Sequence, residues 1–387
     1  MSGIRKSRAA VLWGLNQEWK IEEIEIHPPK TGEVVVHWKA AGLCHSDEHL
    51  VTGDMVPPEE VWPLMGIESF FPIIGGHEGA GVVVEVGPGV TSVAVGDHVS
   101  ASFVPSCGRC RYCSTGRQNL CDNGAKTFVG GMITDDTHRH FVNGQPVTLM
   151  AKVGTFSEYA CVSEQSIIKV EKDIPLECVA LVSCGVATGW GSAANRAGTQ
   201  PGDTVIVVGI GGIGMNAVQG ARMSGAKRII AIDPLEFKRE KAMELGATHA
   251  FESAELAMET ITNLTRGQMA DSAILTPGLM TSEIVADGFN AVGKGGKVVL
   301  TGLNKLEETN IQLPGSILTL FRKELRGSLF GDCNPTVDIP RILGLYQSGD
   351  LKLDEILTRT YTLDQVNEGY DDLLNGKNVR GVVVHEH

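Results

Sequence analysis

Between Val205 and Asp233 the chain reads VIVVGIGGIGMNAVQGARMSGAKRIIAID, and no other stretch narrows the possible folds as far. An apolar run leads into Gly209, Gly211, Gly212 and Gly214, which carry the spacing G-x-G-x-x-G. Met215–Met223 then follows at helical period, and Ile229–Ile232 is a second apolar run. The first glycine permits a tight turn, the next lets backbone approach a pyrophosphate, and the last lets helix and strand pack closely. Amides at the start of the helix offer a positive dipole end to phosphate oxygens. Asp233 closes the second strand, where a carboxylate binds both ribose hydroxyls and repels a 2′-phosphate, so NAD is expected rather than NADP. Short runs at Ala273–Leu275 and Lys297–Leu300, with a second helical stretch at Glu236–Leu245, extend the alternation of a doubly wound parallel sheet.

The first third reads differently. Val34–Ala40, Gly81–Val86 and Asp97–Val104 are β-branched runs separated by turn material, which predicts a β-barrel or sandwich. Asp54–Phe71 holds three prolines and reads as a loop with one short helix, and Gly130–Thr148 reads as a hairpin or loop. The chain has 387 residues and a formal charge of −13, a balance that disfavours nucleic acid and anionic membranes as partners. No unbroken apolar run of about 18 residues occurs, so no membrane span is expected. The first residues lack the pattern of a secretory signal, and a cytoplasmic location is expected. Nine cysteines in a reducing compartment then call for a reason other than disulfides.

Four of them, Cys107, Cys110, Cys113 and Cys121, fall in CGRCRYCSTGRQNLC. Thiolates this close can surround Zn²⁺ at about 2.3 Å and leave no open position, which makes a structural site. An iron–sulfur cluster is the competing metal. Arg109, Arg111 and Arg117 in the same lobe read as solvated surface on an acidic protein rather than a nucleic-acid finger. Cys44, His77 and Cys184 form a looser set. Two thiolates and an imidazole leave a fourth position for water or substrate, as in catalytic zinc sites. Asp47 and Glu78 are plausible carboxylates behind the imidazole. Cys161, Cys178 and Cys333 are assigned to packing, and His138, His140, His385 and His387 to stray polar positions.

Together, GHEGAG around His77, the four-cysteine lobe, CGVATGWGSA after Cys184 and the GIGGIG loop resemble the zinc-dependent medium-chain alcohol dehydrogenases, in the same order along the chain. The resemblance implies a GroES-like β-barrel catalytic domain over 1–186, with a zinc lobe at about 105–123. It implies a Rossmann NAD-binding domain over 187–329 and a C-terminal return over 330–387. Cys44, His77 and Cys184 match the catalytic zinc ligands, the lobe cysteines match the structural ones, and Glu78 matches a carboxylate that can touch the metal. Ser46 and His49 match a proton relay that runs through the ribose hydroxyl. Thr188, Lys238 and Arg380 match cofactor contacts, the last at the pyrophosphate, and His45 sits near it where many members have an arginine. Phe103 and Phe156 match positions that line the substrate pocket.

The stretch between His49 and His77 is longer than the family pattern, with the surplus at about Asp54–Phe71. That insertion resembles the nicotinoprotein, NDMA-dependent subgroup, in which NAD(H) stays bound and an external acceptor, mycofactocin in actinobacterial members, reoxidises it. The segment is expected to hinder NAD release, and the enzyme is expected to act on an alcohol or aldehyde as a homo-oligomer. Competing readings are an ordinary NAD-exchanging alcohol dehydrogenase, a thiol-dependent formaldehyde dehydrogenase, and an inactive zinc-bearing binding protein.

Overall fold

The computed structural model describes residues 3–308 and 310–385. The chain divides into two compact units. One takes in the chain up to Cys184, then Asn334–Gly349 and the chain from Leu353 onward; the other is Gly185–Cys333 with Asp350–Lys352. The boundaries expected after residues 186 and 329 therefore fall after 184 and 333, and 350–352 leave the C-terminal return. The first shift has a local cause. Residue 184 lies inside the continuous helical stretch Leu176–Arg196, so the division falls within a helix and not at a loop. This helix is 21 residues long with mean hydropathy 1.3, enough to cross a membrane by length and composition, yet 89% of its most apolar window is buried inside the protein. Interspersed serine, threonine and glycine hide it from a search for unbroken apolar runs.

The second unit is a six-stranded parallel sheet. In chain order its strands are Thr204–Val208, Arg228–Ile232, His249–Phe251, Ala270–Leu275, Val292–Leu300 and Glu324–Gly327, and across the sheet they lie 3-2-1-4-5-6. The order reverses beside the first strand, the place where such sheets bind a dinucleotide. Gly212–Met223 is the helix after the glycine loop, and Glu236–Glu244 follows the second strand. Ser253 and Thr281 cap the next two helices by accepting from Leu256 and Ile284 backbone N–H groups, which fixes where each begins.

The first unit holds a six-stranded and a seven-stranded sheet, mostly antiparallel. Its central strand Glu33–Gly42 pairs with Glu78–Val86, with Gly42 opposite Glu78, and also with Arg380–Val384, with Gly42 opposite Val382. Trp38, Phe156, Leu43 and Ile73 lie in its buried core. The Asp54–Phe71 segment contains two single helical turns, Glu59–Val61 and Pro63–Met65, rather than one short helix. Gly130–Thr148 includes the expected hairpin, His140–Val142 against Gln145–Pro146. His140 and His385 are buried, not stray. His140 Nε2 accepts the Cys161 N–H at 3.0 Å, and burial holds its imidazole at about 3. His387 lies outside the described residues.

Candidate active site

Three elements of the first unit deliver the site. Strand Glu33–Gly42 ends just before Cys44, helix His45–Val51 begins just after it, and strand Glu78–Val86 opens directly after His77. Cys184 sits in a π-helical turn, Val182–Val186. Such a turn adds a residue to the helix and re-aims side chains, and these turns gather at functional sites. The ligand atoms of Cys44, His77, Glu78 and Cys184 all lie within 4.8 Å of one another, and all four residues are buried. The Ser183 hydroxyl accepts the Gly79 N–H at 3.0 Å and ties the turn to the strand.

The electrostatics suit a cation. The Cys44 thiol lies well below its ordinary range, chiefly through its hydrogen bond with Cys184 and, against burial, through His77. The Cys184 thiol is pushed well up by the same hydrogen bond and by burial. Burial pulls the His77 imidazole down, but Asp47 and Cys44 outweigh it and hold the ring well above its usual value. Asp47 is fully buried. Its Oδ2 lies 3.0 Å from His77 Nδ1, and its Oδ1 accepts the Gly76 N–H at 2.7 Å. A carboxylate on Nδ1 fixes the ring and leaves Nε2 for a metal. Two thiols, an imidazole and a carboxylate in one dry cluster fit a zinc ion.

Arg380 does not stand alone as a phosphate contact. Its guanidinium Nη2 pairs with Glu78 Oε2, both residues being buried. Burial lifts the Glu78 carboxyl to about 8, with Arg380 pulling the other way. The pair closes over Gly42 on the strand between them. A Cβ on Gly42 would overlap Glu78 Oε2 and come within 3.1 Å of Arg380 Nη2. Gly42→Ala is therefore expected to destabilise the protein by about 1–3 kcal/mol, the usual range for overpacking, and urea unfolding checks it. An unchanged midpoint would show that the pair has room to spare.

Ser46 Oγ lies 3.7 Å from Cys44 Sγ, and His49 is buried on the same helix with Nδ1 3.3 Å from Asp54 Oδ2. His45 is half-buried at the start of that helix. Phe103 meets the His77 ring edge-on, at 5.8 Å between centroids. Phe156 does not line a pocket. It is fully buried, packed at 5.9 Å on Trp19 and 6.2 Å on Tyr370 as part of the core. An apolar aromatic ring at a motif position cannot show from sequence which way it faces. Sequence reasoning also passed over Asp54 and Tyr370, whose hydroxyl donates to the Cys44 carbonyl at 3.4 Å. No spacing signal marks either residue.

In the lobe, the four cysteine sulfurs also lie within 4.8 Å of one another, with Cys107 and Cys113 sulfurs 3.9 Å apart. Bonds of about 2.3 Å to a tetrahedral zinc imply sulfur–sulfur edges of about 3.8 Å, so the lobe fits a closed zinc site. Backbone N–H groups of Cys110, Cys113 and Cys107 point at the sulfurs of Cys107, Cys110 and Cys121 at 3.3, 3.4 and 3.5 Å. The Cys113 N–H draws the Cys110 thiol down to about 6, while burial pushes Cys113 up to about 12. Cys161, Cys178 and Cys333 are buried and bond to Glu33, Asp354 and the Ala187 carbonyl.

In the second unit the glycine loop has the geometry a pyrophosphate requires. Gly209 takes φ +85°, and a Cβ there would press on the Pro277 backbone at 2.8 Å. A Cβ on Gly211 would meet no protein atom within 4 Å, whereas one on Gly214 would overlap the Gly209 carbonyl oxygen. Gly211 thus faces open space and Gly214 faces packed backbone. Gly211 caps helix Gly212–Met223 without a side-chain hydrogen bond. Asp233 Oδ2 accepts the Ile210 N–H at 2.7 Å and Oδ1 the Leu235 N–H at 2.9 Å, which fixes the carboxylate beside the loop. Lys238 lies half-buried in the first turns of Glu236–Glu244. The Thr188 hydroxyl is buried with no partner among the described residues. These features fit a dinucleotide.

Residues 30–172 match the alcohol dehydrogenase GroES-like domain family, and residues 212–348 match the zinc-binding dehydrogenase family. The chain is 53% identical to the NDMA-dependent alcohol dehydrogenase of Amycolatopsis methanolica, over 98% of this chain and 99% of that one. It is 45% identical to alcohol dehydrogenase B of Mycobacterium tuberculosis, over 98% of each. The crystal structure of an alcohol dehydrogenase zinc-binding domain protein from Burkholderia ambifaria, at 31% identity, superposes with a TM-score of 0.90 over 99% of this chain and all of that one. With a GroES-like domain, a Rossmann sheet and two sites suited to zinc, the chain belongs to the zinc-binding medium-chain alcohol dehydrogenases, oxidoreductases that use zinc and NAD(H), and it resembles the NDMA-dependent members.

Proposed function

We propose that the protein oxidises an alcohol to an aldehyde or ketone by hydride transfer to an NAD that stays bound, and that an external acceptor then reoxidises the NADH. The buried cluster of Cys44, His77, Glu78 and Cys184 carries the first part of this reading. The insertion at Asp54–Phe71 and the similarity to a relative named for NDMA dependence support the second. Mycofactocin is the acceptor that the subgroup resemblance implies.

In this reading Cys44, His77 and Cys184 hold a catalytic zinc and Cys107, Cys110, Cys113 and Cys121 a structural one. Zinc at the first site supplies a Lewis acid strong enough to bring a water pKa down to about 7. Asp47 orients His77, and Glu78 stands beside the ligands with Arg380 on its far side. Ser46 takes the alcohol proton at Oγ and His49 carries it outward, a contribution of about 10²–10⁴-fold for groups of this kind. Phe103 forms an apolar wall against His77. His45, Thr188, Lys238, Asp233 and the glycines of the loop hold the nucleotide.

The enzyme acts in the cytoplasm, where its nine thiols stay reduced. It does so as a homo-oligomer, supported by exposed Leu320, Phe321, Leu325 and Leu329 around the outer strand Glu324–Gly327. Mixing enzyme, alcohol and excess free NAD tests the cofactor claim. No more than about one NADH per chain should form until a nitrosoaniline acceptor is added. Steady accumulation of free NADH over many turnovers would assign the chain to the ordinary exchanging enzymes.

A further inference from the structure

Helix His45–Val51 ends in a turn that returns the chain over its own last residues. The Thr52 N–H donates to the Glu48 carbonyl at 2.9 Å, and Gly53 takes φ +85°, a backbone state that strains other residues. The Met55 N–H then donates to the His49 carbonyl at 3.1 Å. This reversal carries the Asp54 carboxylate over the His49 ring. Its Oδ2 lies 3.3 Å from His49 Nδ1 and accepts the Thr52 hydroxyl at 3.0 Å. The two side chains are only 10% and 17% exposed, so water competes little for the contact.

We propose that Asp54, the first residue of the inserted segment, is a positioning residue for His49: it holds the proton on Nδ1 and makes Nε2 the nitrogen that accepts the relay proton. The inference rests on the relay reading given above. A carboxylate has acceptors only, so the shared hydrogen belongs to Nδ1. A neutral imidazole with its proton there is a base at Nε2, the same orienting part that a buried aspartate plays for the histidine of serine hydrolases. Thr52 in turn fixes the carboxylate. The insertion is thereby tied to the proton path at its first residue.

The test uses the holoenzyme and follows one turnover as bound NADH appears after mixing with a primary alcohol. His49→Ala should slow this burst about 10²-fold, and Asp54→Asn about 10-fold with half-saturation by alcohol unchanged. In the His49→Ala background, Asp54→Asn should then change the rate less than 2-fold. A second readout needs no turnover. In ¹⁵N-histidine-labelled protein, the His49 signal, identified by its loss in His49→Ala, should show the proton on Nδ1, and Asp54→Asn should move it to Nε2. Thr52→Val should slow the burst in the same direction by about 2-fold and serves if Asp54→Asn does not fold. Equal slowing by Asp54→Asn in both backgrounds, or a wild-type proton on Nε2, overturns the proposal. A His49→Ala burst as fast as wild type removes the relay itself and Asp54's part in it, while the labelled spectrum still reports whether the pairing exists.

Discussion

Replacing Cys113 with serine is expected to release one zinc ion per chain and to open the lobe around residues 105–123. Its local turns alone cannot organise it. Its helical pieces are single turns such as Cys113–Thr115 and Gln118–Leu120. Turns this short do not persist without a cross-link, and structural zinc in small fingers contributes about 10–16 kcal/mol of apparent binding free energy at pH 7. Here part of the lobe is anchored otherwise. The Gln118 N–H donates to Asn334 Oδ1 at 2.7 Å, and the Thr336 hydroxyl donates to Gln118 Oε1 at 2.7 Å. The loss should therefore be local, with global destabilisation of about 4 kcal/mol, large for one residue. Metal analysis should show one zinc fewer per chain, and trypsin should cut at Arg109, Arg111 or Arg117 far sooner than in the parent. Unchanged metal content and unchanged cleavage would show that the four sulfurs hold no ion.

Arg380→Met should cost about 1–3 kcal/mol, because it takes the guanidinium partner from a fully buried Glu78 whose carboxyl, already lifted to about 8, then stays protonated and lacks that hydrogen bond. The double variant Glu78→Leu, Arg380→Met should recover most of that loss, since no polar group is then left buried without its partner. Urea unfolding of the two variants checks both statements. This result separates two roles for the arginine. If it served only as a pyrophosphate contact, Arg380→Met would loosen the nucleotide and leave the unfolding midpoint of the nucleotide-free protein where it was.

These predictions draw on parts of the molecule that were legible to different degrees. The parallel sheet was read from Val205–Asp233 because its strand, turn and helix are adjacent and each leaves a local mark. The four-cysteine lobe was legible for the same reason. Cys44, His77 and Cys184 lie far apart in the chain, so their donor chemistry suggests a set but sequence separation cannot show that they meet; the sheet register and a π-helical turn, neither visible in composition, bring them together. Arg380 reads as a nucleotide contact from its motif, but the strand pairing that also sets it across Gly42 from Glu78 leaves no record in the sequence. Phe156 was misread because an aromatic residue has the same letter in a core and in a pocket wall. Asp54 was passed over because the turn at Gly53 that returns it to His49 is a matter of one backbone angle.

The central claim is that this is a zinc alcohol dehydrogenase that keeps its nucleotide. Purified protein, dialysed extensively and then denatured, should release about two zinc ions and about one NAD(H) per chain. Zinc without nucleotide would contradict the retention of NAD, and nucleotide without zinc would contradict the metal sites on which the rest of the account depends.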